Sequence, residues 1–160
     1  TVLYLHGNAG HIGHRSEKIR PYIDAGYGIL LLSYRGYGTN HGYPTEANLY
    51  KDGRGALDFL AGKHIPIFKT VIYGESLGTG IAVEIAQDKA IFSLVLEAPF
   101  SSMVDAASHH FKLFPARLIV RDRYDSLSKI NNIKAPLLII HGKKDGTIPY
   151  SLARRFSRGG

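Results

Sequence analysis

Five short apolar runs punctuate the chain: Val2–Leu5, Ile29–Ser33, Thr70–Tyr73, Phe92–Leu96 and Leu137–Ile140. Each is rich in Leu, Ile or Val without polar alternation. Such runs predict strands buried on both faces, as in a parallel sheet covered by helices. Between them the period changes. Leu49, Gly53, Ala56, Leu57 and Leu60 recur at three- and four-residue spacings and set one stripe on a helix. Thr45 is placed to cap it, with Glu46 in the first turn beside the positive end of the helix dipole. Ile81, Ala82, Ile85 and Ala86 form a second stripe after the third strand. Arg15–Ala25 gives a weaker helix, because Pro21 must start or kink it; Gly26 suits the left-handed position past its end. A last short helix is expected at Tyr150–Phe156. Strand and helix alternate, so the predicted fold is α/β, a doubly wound, mainly parallel sheet of five strands.

Residues 99–135 break the alternation. Phe100, Met103, Phe111, Leu113, Phe114, Leu118 and Ile119 are apolar but lack a strand period. They predict a small helical insertion between strands four and five. It serves either as a cap over a pocket or as a long crossover.

The 160 residues are 44% hydrophobic and 21% charged, which suits a single domain over 1–160 with a sizeable core. No apolar run approaches the ~20 residues of a membrane-spanning helix. Thr1 opens directly into the first strand pattern, with no basic segment ahead of an apolar one, so no signal peptide is read there. The absence of cysteine excludes disulfides, thiolate catalysis and Cys-type zinc or iron–sulfur sites. Residues 1–110 carry 9 Lys and Arg against 10 Asp and Glu, whereas residues 111–160 carry 11 against 3. That asymmetry describes either a solvated surface or a face for an acidic partner. The basic residues are not interleaved with aromatics in a nucleic-acid motif, so no nucleic-acid partner is expected.

In parallel α/β sheets ligands lie beyond the carboxyl ends of the strands. Here every strand runs into polar and glycine-rich residues at that end. The third passes into Gly74-Glu75-Ser76-Leu77-Gly78, a G-x-S-x-G turn directly before a helix. This strand–turn–helix setting holds a serine strained and exposed, so Ser76 is the candidate nucleophile. The Leu77 N–H at the helix start is one expected oxyanion donor. The other is the N–H of Asn8 or Ala9, in a loop that Gly7 and Gly10 let bend close to substrate. Asp145 follows the serine in the loop after strand five, as a Ser…Asp…His order requires. Lys144-Asp145-Gly146 also reads as an ordinary turn, and Glu97 is the alternative acid.

Together, Leu5-His6-Gly7-Asn8-Ala9-Gly10, Ser33-Tyr34-Arg35-Gly36-Tyr37-Gly38, Tyr73-Gly74-Glu75-Ser76-Leu77-Gly78, Glu97-Ala98-Pro99-Phe100 and Ile140-His141-Gly142-Lys143-Lys144-Asp145 resemble the α/β-hydrolases. The resemblance is narrower with the Bem46-like and serine aminopeptidase-like group, and it runs along essentially the whole chain. It implies a sheet order of 2-1-3-4-5, with Ser76 as nucleophile, Asp145 as acid, and Leu77 with the Asn8 region as oxyanion hole. It implies no cofactor and no metal, and a small acyl or lipid-like substrate. It also implies a cytoplasmic or membrane-peripheral location, with membrane attachment through sequence outside this chain.

In that family the catalytic histidine follows the acid after one more strand. No histidine lies between Gly146 and Gly160. His6 and His141 sit in strand-end motifs with an expected structural role. His11, His14, His41 and His64 read as surface or loop positions, and His109 and His110 fall in the insertion. From the insertion His109 or His110 could swing toward Ser76; His41, His109 and His110 could also suggest a metal, but the three form no i, i+4 pair and no metal site is read from them. The chain is therefore expected to be truncated at both ends and inactive alone. The expected parent is a serine hydrolase cleaving an ester, thioester or amide through an acyl-enzyme on Ser76. The alternative is a catalytically incomplete hydrolase-like scaffold that binds an acidic partner or ligand.

Overall fold

A computed structural model describes residues 1–9, 12–110 and 120–156, with His109 and His110 described by backbone only. Gly10, His11 and the insertion residues Phe111, Leu113, Phe114, Leu118 and Ile119 lie outside the described residues. Five strands form one sheet: β1 (Val2–Leu5), β2 (Ile29–Leu32), β3 (Val71–Glu75), β4 (Ser93–Glu97) and β5 (Leu137–Ile140). All pairings are parallel, in the order β2-β1-β3-β4-β5. The helices are α1 (Ser16–Asp24), α2 (Glu46–Gly62), α3 (Leu77–Ala86), α4 (Met103–His110), α5 (Ser126–Lys129) and α6 (Tyr150–Ala153), with 3-10 turns at Ile12–Arg15, Ile67–Lys69 and Ile130–Asn132.

Alternate strand residues serve two cores, as a period of two requires. Leu3, Leu5, Ile72, Leu94 and Leu96 face α2 and α3 in the larger core. Val2, Tyr4 and Tyr73 face the other way and pack with Ile19 and Tyr22 of α1. Helices thus cover both faces of the sheet. α3 is buried along nearly its whole length, and α2 lies close enough that a Cβ on Gly53 would stand 2.9 Å from Ile81 Cγ2. Thr45 caps α2, its Oγ1 accepting from the Asn48 N–H at 3.4 Å. Gly26, at φ +83°, ends α1: its N–H donates to the Ile23 carbonyl and that of Tyr27 to the Tyr22 carbonyl. Pro21 lies inside α1 rather than at its start. The helix continues through it, at the loss of one backbone bond, while Ile19 and Tyr22 anchor its inner face.

Two expectations need correction. Burial on both faces holds for β1 but not for the sheet edges. β2 is half-buried throughout, and β5 leaves Leu138 54% and Ile140 44% exposed. An edge strand has a neighbour on one side only, and α1 does not extend over β5. The last helix is also shorter than Tyr150–Phe156, ending at Ala153. Between β4 and β5 lie α4, α5 and a 3-10 turn, so the helical insertion is present.

The burial contrast makes a prediction. Leu94→Ala, at a fully buried position of β4, should cost about 2–5 kcal/mol in urea denaturation, and Leu138→Ala in β5 under about 1 kcal/mol.

Candidate active site

The sharpest local geometry lies between β3 and α3. Ser76 has φ 51° and ψ −116°, a backbone conformation that costs a non-glycine residue on the order of 1–3 kcal/mol. Its peptide ends are pinned. The Ser76 N–H donates to the Glu97 carbonyl at 2.9 Å, and its own carbonyl accepts from Thr79 N–H and Thr79 Oγ1 at 2.8 and 2.6 Å. The flanking glycines are steric necessities. A Cβ on Gly74 would lie 2.6 Å from the Gly78 carbonyl oxygen, and one on Gly78 only 2.1 Å from that of Leu5. Across the turn, a Cβ on Gly7 would lie 3.1 Å from Ser76 Cβ. The chain folds this tightly because nothing larger than hydrogen occupies these positions.

Ser76 is half-buried and opens into two adjoining cavities. One, of about 390 Å³, carries the charged side chains: Gly7, Asn8, Ala9, Arg15, Glu75, Ser76 and Asp145 are among its walls. The other, of about 490 Å³, is largely apolar, with Leu77, Phe100, Met103, Ala106 and Tyr124 around Ser76 and Asn8. Thus Ser76, Asp145, Asn8 and Ala9 meet in one cleft, and Leu77 lies at its border. A larger cavity of about 750 Å³, between β2 and α2, contains none of them.

Asp145 belongs to the turn after β5. Its Oδ1 accepts from the N–H groups of Thr147 and Ile148 at 2.8 and 2.9 Å, and its Oδ2 lies 3.8 Å from His141 Nε2. Burial alone would raise its pKa. The two backbone N–H groups and the neighbouring imidazole outweigh this and hold the carboxyl below its usual range. Glu97, the alternative acid, also borders the cavity of about 390 Å³, but its carboxylate binds Lys18 Nζ at 2.5 Å and the Tyr73 hydroxyl at 2.6 Å.

Two histidines near the cleft, His6 and His141, are held by backbone carbonyls. His6 is fully buried between the rings of Tyr34 and Tyr37, and its Nδ1 donates to the Gly7 carbonyl at 2.7 Å. That bond leaves Nε2 as the basic nitrogen, buried and without a hydrogen-bond partner. Burial, with Arg15 nearby, lowers the His6 pKa. His141 Nε2 donates to the Ile148 carbonyl at 2.8 Å, bracing the Asp145 turn. Among the described residues no histidine lines the walls shared by Ser76 and Asp145, and no group of three or more His, Cys, Asp or Glu could hold a metal ion.

Two contributors escaped the sequence reading. Tyr37 donates its hydroxyl to Asn8 Oδ1, steadying the loop after β1. Arg15, read only as the opening of a helix, reaches Glu75 Oε2 at 2.8 Å and the Ala9 carbonyl at 3.1 Å. These partners are distant in sequence and share no spacing rule. The one available signal was an acidic residue immediately before the serine in an otherwise apolar strand.

Residues 1–119 match the family model described as the alpha/beta hydrolase fold. Protein bem46 of Schizosaccharomyces pombe is 36% identical over 159 residues, covering 93% of this chain and 52% of that protein. The lysophosphatidylserine lipase ABHD12 of Danio rerio is 30% identical over 175 residues, covering 97% and 46%. The chain spans about half the length of the curated relatives it matches. A crystal structure of an alpha-beta hydrolase from Vibrio vulnificus superposes with a TM-score of 0.84 at 27% identity, over 99% of this chain and 62% of that one. No helix among the described residues is long and apolar enough to cross a membrane.

Two predictions follow from the site's packing and charge. Gly78→Ala should cost about 3 kcal/mol or more, since backbone must move, whereas Gly146→Ala, with open space around it, should stay within about 0.5 kcal/mol in denaturant titrations. His6 should titrate below 6.5 by NMR. Its contribution to stability is full above that pH and is lost as pH falls through the lower folded pKa, because the unfolded chain takes up the proton first.

Proposed function

The chain belongs to the α/β hydrolase family, and from that membership and the cleft shared by Ser76 and Asp145 we propose that it is the core of a serine hydrolase. Ser76 Oγ attacks the carbonyl carbon of an ester, thioester or amide. An imidazole from sequence outside residues 1–160 enters the cavity between Ser76 and Asp145 and takes the serine proton. Asp145 orients that ring and stabilises its charged form; its lowered pKa keeps it ionised for this purpose. The negative oxygen of the tetrahedral intermediate lies against the Leu77 N–H at the start of α3 and the N–H of Asn8 or Ala9. The imidazolium then protonates the leaving group, and water releases the acyl group from Ser76 by the reverse sequence.

The single observation that carries this reading is that a strained, half-buried serine and an aspartate line the same cavity. The adjoining apolar cavity suits an acyl chain. α4 supplies Met103, Ala106 and Ala107 to its wall, so this helix acts as its cover. A relative named as a lysophosphatidylserine lipase favours lipid-like esters within this range. The triad mechanism calls for no cofactor.

A fluorophosphonate probe applied to the full-length parent should label it, and Ser76→Ala should abolish the label. Asp145→Asn should lower kcat on a p-nitrophenyl ester by about 10²–10⁴-fold. Labelling that persists in Ser76→Ala would remove the nucleophile assignment. Ligand binding without turnover in the intact parent would favour the scaffold alternative.

A further inference from the structure

We propose that Arg15 is a positioning residue, a clamp that fixes the loop after β1 relative to Ser76 and so holds the second oxyanion donor in place. The inference rests on the serine hydrolase reading above.

Arg15 ends the 3-10 turn Ile12–Arg15, and its side chain is only 12% exposed. Two donors on one edge of its guanidinium point to different parts of the cleft. Nε donates to Glu75 Oε2 at 2.8 Å, on the residue before Ser76, and Nη2 donates to the Ala9 carbonyl at 3.1 Å. The planar fork fixes the spacing of those two acceptors, which a flexible ammonium would not do. The elbow and the loop after β1, far apart in the chain, are thereby joined through one rigid group.

The rest of that loop is held from other directions. The Tyr34 hydroxyl donates to the His6 carbonyl at 3.0 Å, the Tyr37 hydroxyl donates to Asn8 Oδ1, and Gly7 packs against Ser76 Cβ and the Glu75 carbonyl. Ala9 is the last described residue of that loop, and among the described residues Arg15 ties its carbonyl. An oxyanion donor works only if its N–H is held where charge develops, and displacement of reacting groups by about 1 Å costs roughly 10²-fold in rate. A clamp on this loop therefore bears on the transition state more than on substrate binding.

Removing Arg15 does not strand a charge. Glu75 keeps the Tyr4 hydroxyl at 2.6 Å and Lys18 Nζ at 3.6 Å. The variant should fold, and its defect should be one of placement.

The test uses the full-length parent with wild type, Arg15→Gln, Arg15→Lys, Glu75→Gln and the Arg15→Gln/Glu75→Gln double variant. Arg15→Gln should lower kcat on a neutral p-nitrophenyl ester, and the fluorophosphonate labelling rate, by about 10- to 100-fold, with KM within about twofold. Arg15→Lys should recover part of the loss, because an ammonium reaches one partner at a time. The double variant should be no worse than Arg15→Gln alone within about twofold, since both residues act through one link. Backbone order parameters at Asn8 and Ala9 should fall in Arg15→Gln, while those of α3 stay at their wild-type values. Unchanged kcat and labelling would overturn the clamp, as would unchanged order parameters at Asn8 and Ala9. A KM rise confined to anionic esters would overturn it too, by making Arg15 a substrate contact. Labelling that survives Ser76→Ala would instead sink the hydrolase reading, and the order parameters would still report separately whether Arg15 tethers the loop.

Discussion

The approach of α3 to the sheet allows no side chain at Gly78, where a Cβ would sit 2.1 Å from the Leu5 carbonyl oxygen. The rest of the site depends on this contact. It lets the chain reverse from β3 into α3 within one residue, and that residue, Ser76, takes the left-handed φ the reversal demands. The same contact brings the end of β1 beside the start of α3. Loop residues Gly7, Asn8 and Ala9 then line the same cavity as Ser76. Strain at Ser76 is tolerated because the surroundings over-determine it: α3 is buried on nearly all sides, and the serine's peptide ends are both hydrogen-bonded.

The two faces of the sheet do different work near the cleft. The α2–α3 face is apolar to its end, with Leu3, Leu5, Ile72, Leu94 and Leu96 in one continuous core. The α1 face turns polar as it nears the carboxyl ends. Tyr4 and Tyr73 stack at 4.8 Å and send their hydroxyls to Glu75 and Glu97, which Arg15 and Lys18 neutralise. Burial pushes both tyrosines well above their ordinary pKa, so they remain donors to the carboxylates. Glu75 itself is held below the usual range; burial opposes this, but the Tyr4 hydroxyl, Arg15 and Lys18 prevail. Partly buried ion pairs contribute little net stability against an apolar replacement. What such a network supplies is fixed geometry, and here it lies directly beneath the serine.

This division explains what was readable from the chain. The five strands, the Thr45 cap and the Gly26 terminator follow from local composition, and each appears within a residue or two of its expected place. The elbow was legible because sterics dictate its glycines at fixed offsets from the serine. Edge exposure was not legible in the strands' own residues, since Leu138 reads as apolar as Leu94; it follows only from the sheet order that the family resemblance implied, which leaves β2 and β5 with a neighbour on one side. The Arg15–Glu75 link was invisible for a related reason: it joins residues whose nearness is a product of the fold.

Charge counted along the chain misleads in the same way. The basic excess after residue 110 suggests a cationic face when read linearly. In three dimensions several of those cations answer acids from the first two-thirds of the chain. Lys129 pairs with Glu84 of α3, Lys134 with Asp88, and Arg155 with Asp105 of α4. The α5 cation thus anchors the insertion to the helix that carries Ser76 at its head, and Arg155 braces α4, a wall of the apolar cavity. Part of the positive charge counted after residue 110 is therefore already matched by carboxylates within the fold, and two of those pairs tie α5 and α4 to neighbouring elements.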